Sequence, residues 1–152
     1  MKTQEALEHI KATLYVDDTW VDPATGAETV AVVTPTLKIT AISETMDPSA
    51  LQLSSPFDVH DLESAECLVA LLEANGPGAG TGETTVAIDP GGRASALNVL
   101  SVARLTDASE LEEALGRHFL AAQFWQTDGA AALPDKRLPR PRAAASEVII
   151  PL

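Results

Sequence analysis

The stretch LVALLEANGPGAGTGETTVAIDP (residues 68–90) carries the reading of the fold: an apolar run, then four glycines and a proline between positions 76 and 82, then a β-branched run. A loop that wraps a phosphate needs a strand before it, a helix after it and a lysine to meet the charge. Here the order is helix then strand, and Glu83 follows Gly82. The dinucleotide pattern GxGxxG also fails, because from Gly76 or Gly78 its last position falls on Thr81 or Glu83. The glycines therefore read as a helix-to-strand connector, with Asn75-Gly76 as the helix stop.

Outward from this stretch, the helix is expected over residues 60–74, capped by Asp58 or Asp61. Its Leu62, Ala65, Cys67, Leu68, Val69, Leu71 and Leu72 exceed a single apolar stripe, which predicts burial on two sides. Upstream, ETVAVVT (28–34), TLKITAIS (36–43) and ALQLSS (50–55) read as strands, and Asp22, Pro23, Thr25 and Gly26 mark a turn. Residues 3–14 form an amphipathic helix with Thr3 as its N-cap and Leu7, Ile10 and Leu14 on one face. Downstream, TTVAIDP (84–90) and ASALNVLSVARL (94–105) flank Pro90-Gly91-Gly92 as a hairpin. A third helix over 108–126 opens on Asp107, with Glu110 completing a capping box.

The order α-β-β-β-α-β-β-α predicts an α+β fold, an antiparallel twisted sheet with helices packed on it. At 152 residues the chain suits one domain burying about two-thirds of its unfolded surface. That domain is expected over 1–127, and residues 128–152, rich in Ala, Pro and Arg without a sustained period, read as a flexible tail. Within the tail, Val148, Ile149 and Ile150 could dock as a short strand.

Residues 1–127 hold 19 acids and 6 bases, a formal charge of −13, which repels nucleic acid and anionic lipid. Lys136, Arg137, Arg140 and Arg142, with no aromatic among them, read as a solvated linker. Glu5 and Glu8 stand where a secretory signal needs apolar residues, and Leu68–Leu72 is too short to span a bilayer. The expectation is a cytoplasmic protein without membrane insertion.

No reactive constellation stands out. His9, His60 and His118 lie in separate elements without metal-ligand spacing, and His118 on an apolar stripe reads as a hydrogen-bonded core residue. Cys67, the single cysteine, sits mid-helix among aliphatics as a small hydrophobe. Asp17, Asp18 and Asp22 lack the spacing and closing Glu of a calcium loop, and the other carboxylates are too scattered for a glycosidase pair. No catalytic residue, metal or cofactor is expected. An enzyme built on His60, Cys67 or His118 would need a paired base and orienter that the sequence does not display.

A helix ending Leu71-Leu72-Glu73-Ala74-Asn75, a loop, and a strand from Val86 to Asp89 resemble the small acidic class I chaperones of type III secretion systems. LNVLSVARLTDASELEEALGRHFLAAQFW (97–125) is similar to that family's final strand, its Leu-Thr-Asp helix start and its last helix ending in an aromatic. The likeness covers roughly residues 1–126; residues 15–36 lack a clean family-like first strand, and the tail has no counterpart. The resemblance implies a bacterial cytoplasmic homodimer that binds an extended segment of a secreted effector, keeps it export-competent and meets the secretion-system ATPase, without catalysis.

On that reading, Leu7, Ile10 and Leu14 are candidates for the effector groove, and Val30, Val32, Leu37 and Ile39 for the neighbouring sheet, with all seven forming core as the opposing reading. Leu68, Leu71 and Leu72 are candidates for the dimer interface. The alternative is a regulatory or adaptor domain of similar α+β build that binds a folded protein partner.

Overall fold

A computed structural model of the chain describes residues 1–59, 64–75, 84–88, 92–129 and 131. The elements are α1 (Thr3–Thr13), β1 (Tyr15–Val21), β2 (Glu28–Val33), β3 (Ile39–Glu44), β4 (Ala50–Phe57), α2 (Ala65–Ala74), β5 (Thr85–Ile88), β6 (Ala94–Ser101) and α3 (Ala108–Phe124). A 3-10 turn at Val102–Arg104 leads towards α3, and a π-type turn at Trp125–Gly129 continues it. The strands form one six-stranded sheet in the order β1-β2-β3-β4-β6-β5, and every pairing is antiparallel. This is the α+β architecture expected, with one strand more.

The added strand is β1. Its sequence YVDDTWV shows no clean alternation because it lies at the sheet edge, where among the described residues only β2 pairs with it and most of its residues stay exposed. A bulge between Val16 and Asp18 leaves Asp17 outside the register and keeps Tyr15, Asp18 and Trp20 on one face, opposite Val33, Ala31 and Thr29.

The three helices share one face of the sheet. There Ala6, Leu7 and Ile10 of α1 and Leu111 and Leu115 of α3 pack with Val30, Val32, Ile42, Leu51 and Leu53 of the central strands. A second cluster joins Cys67 and Leu71 of α2 to Phe57, Val86, Ala94, Ala96 and Trp125. Truncating one of these leucines to alanine costs about 2 to 5 kcal/mol, because the enclosed site collapses only in part.

Capping explains the helix limits. Asp107 accepts the Glu110 N–H at 2.9 Å, and Glu110 returns by accepting the Thr106 N–H at 2.7 Å, so α3 starts where expected. In α2 the cap is Ser64, whose Oγ accepts the Cys67 N–H at 3.1 Å, in place of Asp58; Asp61 and the expected first turn at 60–63 lie outside the described residues. α1 is preceded by Lys2 with no side-chain cap, so Thr3 is its first residue and not its N-cap. The glycine-rich connector at 76–83, the Pro90-Gly91 turn and the tail from 132 lie outside the described residues.

Candidate functional site

The register leaves one sheet face without a helix among the described residues. Along it, Trp20, Thr29, Ser43, Gln52 and Val99 are cross-strand neighbours from β1 to β6. Small side chains, Ala31, Ala41, Ser54 and Ser95, occupy the interior of this face, and the Ser54 and Ser95 hydroxyls bond at 2.7 Å.

At one end of the face an open groove of about 780 Å³ forms where the β1–β2 and β3–β4 turns meet. Its apolar lining is Trp20, 48% exposed, Met46, fully exposed, Ala27 and Pro48; Asp22 and Glu44 supply negative charge. Both turns are pinned by their own side chains. Asp22 accepts the Ala24 N–H at 2.8 Å, and Gly26 takes the left-handed φ of 75° that closes the loop. Asp47 accepts both the N–H and the hydroxyl of Ser49, at 2.9 and 2.6 Å, and these bonds hold its carboxyl below the usual pKa. Met46 is thus presented on a fixed turn.

At the other end Tyr15 stands opposite Val33, and Val33 opposite Ile39, with Leu37 on the adjoining turn. Leu37 is 82% exposed at φ 64°, a conformation that costs a non-glycine residue roughly 1 kcal/mol.

The seven residues expected to receive an effector therefore separate. Leu7, Ile10, Val30 and Val32 are fully enclosed in the core of the single chain, because the apolar stripe of α1 meets the inner sheet face directly; as placed, no client side chain reaches them. Leu14 is half-buried at the rim of that core, and only Leu37 and Ile39 face solvent. Trp20, Met46 and Tyr15 were not anticipated, since turn residues and edge-strand residues carry no periodic signal; Val99 lies on the interior strand β6, which reads in the sequence as a strand without a client role. Of the three residues expected at a dimer contact, Leu71 belongs to the core, Leu68 is half-buried and Leu72 is 71% exposed. Val69, three residues before Leu72 and also exposed, shares its side of α2.

His118 is enclosed as expected, and its partners can be assigned. Asn98 Oδ1 accepts from Thr84 Oγ1 at 3.0 Å and stands 2.6 Å from His118 Nδ1, so Nδ1 carries the proton and donates. Nε2 then accepts the Ser55 hydroxyl at 2.8 Å, and Ser55 Oγ accepts from Thr40 Oγ1 at 2.6 Å. Burial pushes the imidazole pKa down to about 4. Ser55, His118 and Asn98 stand in the order nucleophile, base and orienter, yet Ser55 and Thr40 are fully enclosed and an amide offers an imidazolium no counter-charge. As placed, the chain of bonds ties β3, β4, β6 and α3 together.

His9 pairs with Glu112 on the surface at 2.9 Å, Cys67 is buried and in no disulfide, and His60 lies outside the described residues. Among the described residues no group of three or more His, Cys, Asp or Glu could hold a metal ion, and no helix is long and apolar enough to cross a membrane.

No family model matches the chain, and no curated protein matches it in sequence. Among solved structures it is similar to a chain of the heterodimeric ExoU–SpcU complex from the type III secretion system of Pseudomonas aeruginosa, with a TM-score of 0.53 and 15% identity over 74% of this chain and 88% of that one. The two share the fold, which is the one the resemblance implied.

Proposed function

We infer that the protein is a chaperone for a type III secreted effector, holding an extended segment of that client in an export-competent state. The observation that carries this reading is a sheet face that bears no helix among the described residues and has apolar groups at both ends, on a fold shared with a chain of the ExoU–SpcU complex. An extended client laid along this face would place side chains on Trp20 and Met46 at one end and on Tyr15, Leu37 and Ile39 at the other.

The sheet edges divide the work. On β5, the Val86 N–H and C=O are both taken by the Asn75 side chain, whereas β1, paired with β2 alone among the described residues, offers its outer backbone groups to a further strand. The carboxylates Asp17 and Asp18 beside β1 favour a client with basic residues flanking its apolar ones. Val69 and Leu72 on α2 supply the apolar contact for a second copy, which makes the active form a homodimer. The secretion-system ATPase is the partner to which such a complex is handed.

Co-purification from the native host followed by limited proteolysis tests this. The expected result is a bound secreted protein protected over one short segment and digested when free. A bound partner that resists protease equally with and without this chain would mean a folded partner, the adaptor reading.

A further inference from the structure

The edge strand sets an indole between two carboxylates. Asp18, Trp20 and Asp22 alternate along β1 and the residue after it, so all three fall on the outer sheet face at steps of about 7 Å. Asp22 keeps this alternation past the strand end, because its N–H donates to the Ala27 carbonyl at 2.9 Å and extends the β1–β2 ladder by one residue. Trp20 is half-exposed, and together with Asp22 it lines the groove at the two turns.

Both carboxylates are held by the backbone beside them. Asp18 Oδ1 accepts the Thr19 N–H and Asp22 Oδ1 accepts the Ala24 N–H, each at 2.8 Å. The Oδ2 atom of each has no hydrogen-bond partner among the described residues, and both side chains are exposed. No lysine or arginine lines the groove among the described residues. By contrast Glu28, the cross-strand neighbour of Val21, has Lys11 Nζ 2.9 Å from its Oε1. One carboxylate at this strand end therefore has its cation, and the pair flanking Trp20 lacks one.

An indole face attracts cations, and it stacks a planar guanidinium better than it holds a compact, strongly hydrated ammonium. The N–H groups of a stacked guanidinium point outward in its own plane, where a carboxylate one alternation away receives them. The second carboxylate adds attraction through space. A lysine over the ring keeps the charge attraction but loses the planar stack, and a neutral side chain loses the charge.

We propose, resting on the client-surface reading above, that Asp18, Trp20 and Asp22 form a site for one arginine side chain of the client, with the guanidinium stacked on the indole and its N–H groups on the open carboxylate oxygens. The site adds a selectivity that apolar contact does not supply: the client segment carries an arginine where it passes Trp20.

The test uses the full isotope-enriched chain and unstructured probe peptides, acetyl-Gly-Ser-Val-Xaa-Val-Ser-Gly-amide, in which Xaa is arginine, lysine or citrulline, the last a neutral planar analogue of arginine. The chain has two tryptophans, so the indole N–H of Trp20 reports binding and that of the enclosed Trp125 reports folding. At low ionic strength the arginine peptide is expected to shift the Trp20 signal saturably, with the lysine peptide weaker and the citrulline peptide weaker than arginine by about tenfold. Asp18→Asn combined with Asp22→Asn keeps the oxygens that accept the backbone N–H groups and removes the charge. This variant should fold as the parent does and lose most of its preference for arginine over citrulline, and Trp20→Leu should bring arginine down to the lysine level. No shift with the arginine peptide, equal binding of arginine and citrulline by the parent chain, or an undiminished arginine preference in the double variant would overturn the proposal. No secreted protein takes part, so the outcome is separate from the co-purification that tests the chaperone reading. A chain that binds the arginine peptide as expected but captures no exported protein would keep this site and lose that reading.

Discussion

The Asn75 side chain joins Val86 by two hydrogen bonds, its Nδ2 donating to the Val86 carbonyl at 2.6 Å and its Oδ1 accepting the Val86 N–H at 2.7 Å. The amide copies the donor and acceptor of a neighbouring strand. It fastens the end of α2 to β5 and occupies two groups on that edge of the sheet. Asn75 keeps a right-handed backbone, φ −92°, so its place in the sequence follows from its side chain and not from left-handed tolerance.

Asn75→Ala leaves both Val86 groups without their partner. The expected loss is about 1 to 3 kcal/mol, the cost of orphaning partly buried backbone groups. Urea unfolding of the variant measures it, and an unchanged midpoint would show that the clamp carries no energy.

His118 sets an acid limit on stability. Its folded pKa of about 4 lies below the ordinary 6.5, so between these values the unfolded chain binds the proton and the folded chain does not. This contribution is fully present above about pH 6.5 and falls by about 2 to 3 kcal/mol on the way to pH 4.5. His118→Gln removes the titrating group. Urea unfolding at pH 7 and 4.5 should show parent and variant differing less at the lower pH by that amount.

Gly116 lies inside α3, and a methyl group added there meets nothing within 4 Å. Gly116→Ala should therefore stabilise the protein by about 0.5 to 1 kcal/mol through helix propensity alone. A rise in thermal midpoint checks it; a fall would mean that this surface of α3 is covered.

Leu72→Asp places a charge on the exposed side of α2 without touching the core, so folding should be retained within about 0.5 kcal/mol. Sedimentation should show self-association weakened. Loss of folding, with the parent chain monomeric throughout, would remove α2 as a dimer surface.

The elements that bury a periodic apolar face were legible in the sequence: the stripe of α3, the hairpin of β5 and β6, and the three central strands. β1 was not, because Asp17 and Asp18 interrupt its pattern and an edge strand with a bulge needs no buried alternation. The same stripe that revealed α1 supplied candidate site residues that the single chain encloses. Leu7 and Ile10 belong to the same buried cluster as Val30 and Ile42, and periodicity marks core before it marks a binding surface. The partners of His118 were out of reach for another reason: Ser55 and Asn98 are 63 and 20 residues away in sequence, brought together by sheet register.

The central claim is that a secreted client lies along the sheet face that bears no helix among the described residues. Its most direct test replaces Trp20 or Met46, and as a control the helix-side residue Arg117, with a photo-crosslinking phenylalanine derivative in the native host. Adducts at 20 and 46 to a type III secreted protein, with none at 117, are the predicted result. Adducts confined to 117, or formed at 20 and 46 only with folded proteins that are never exported, would contradict it.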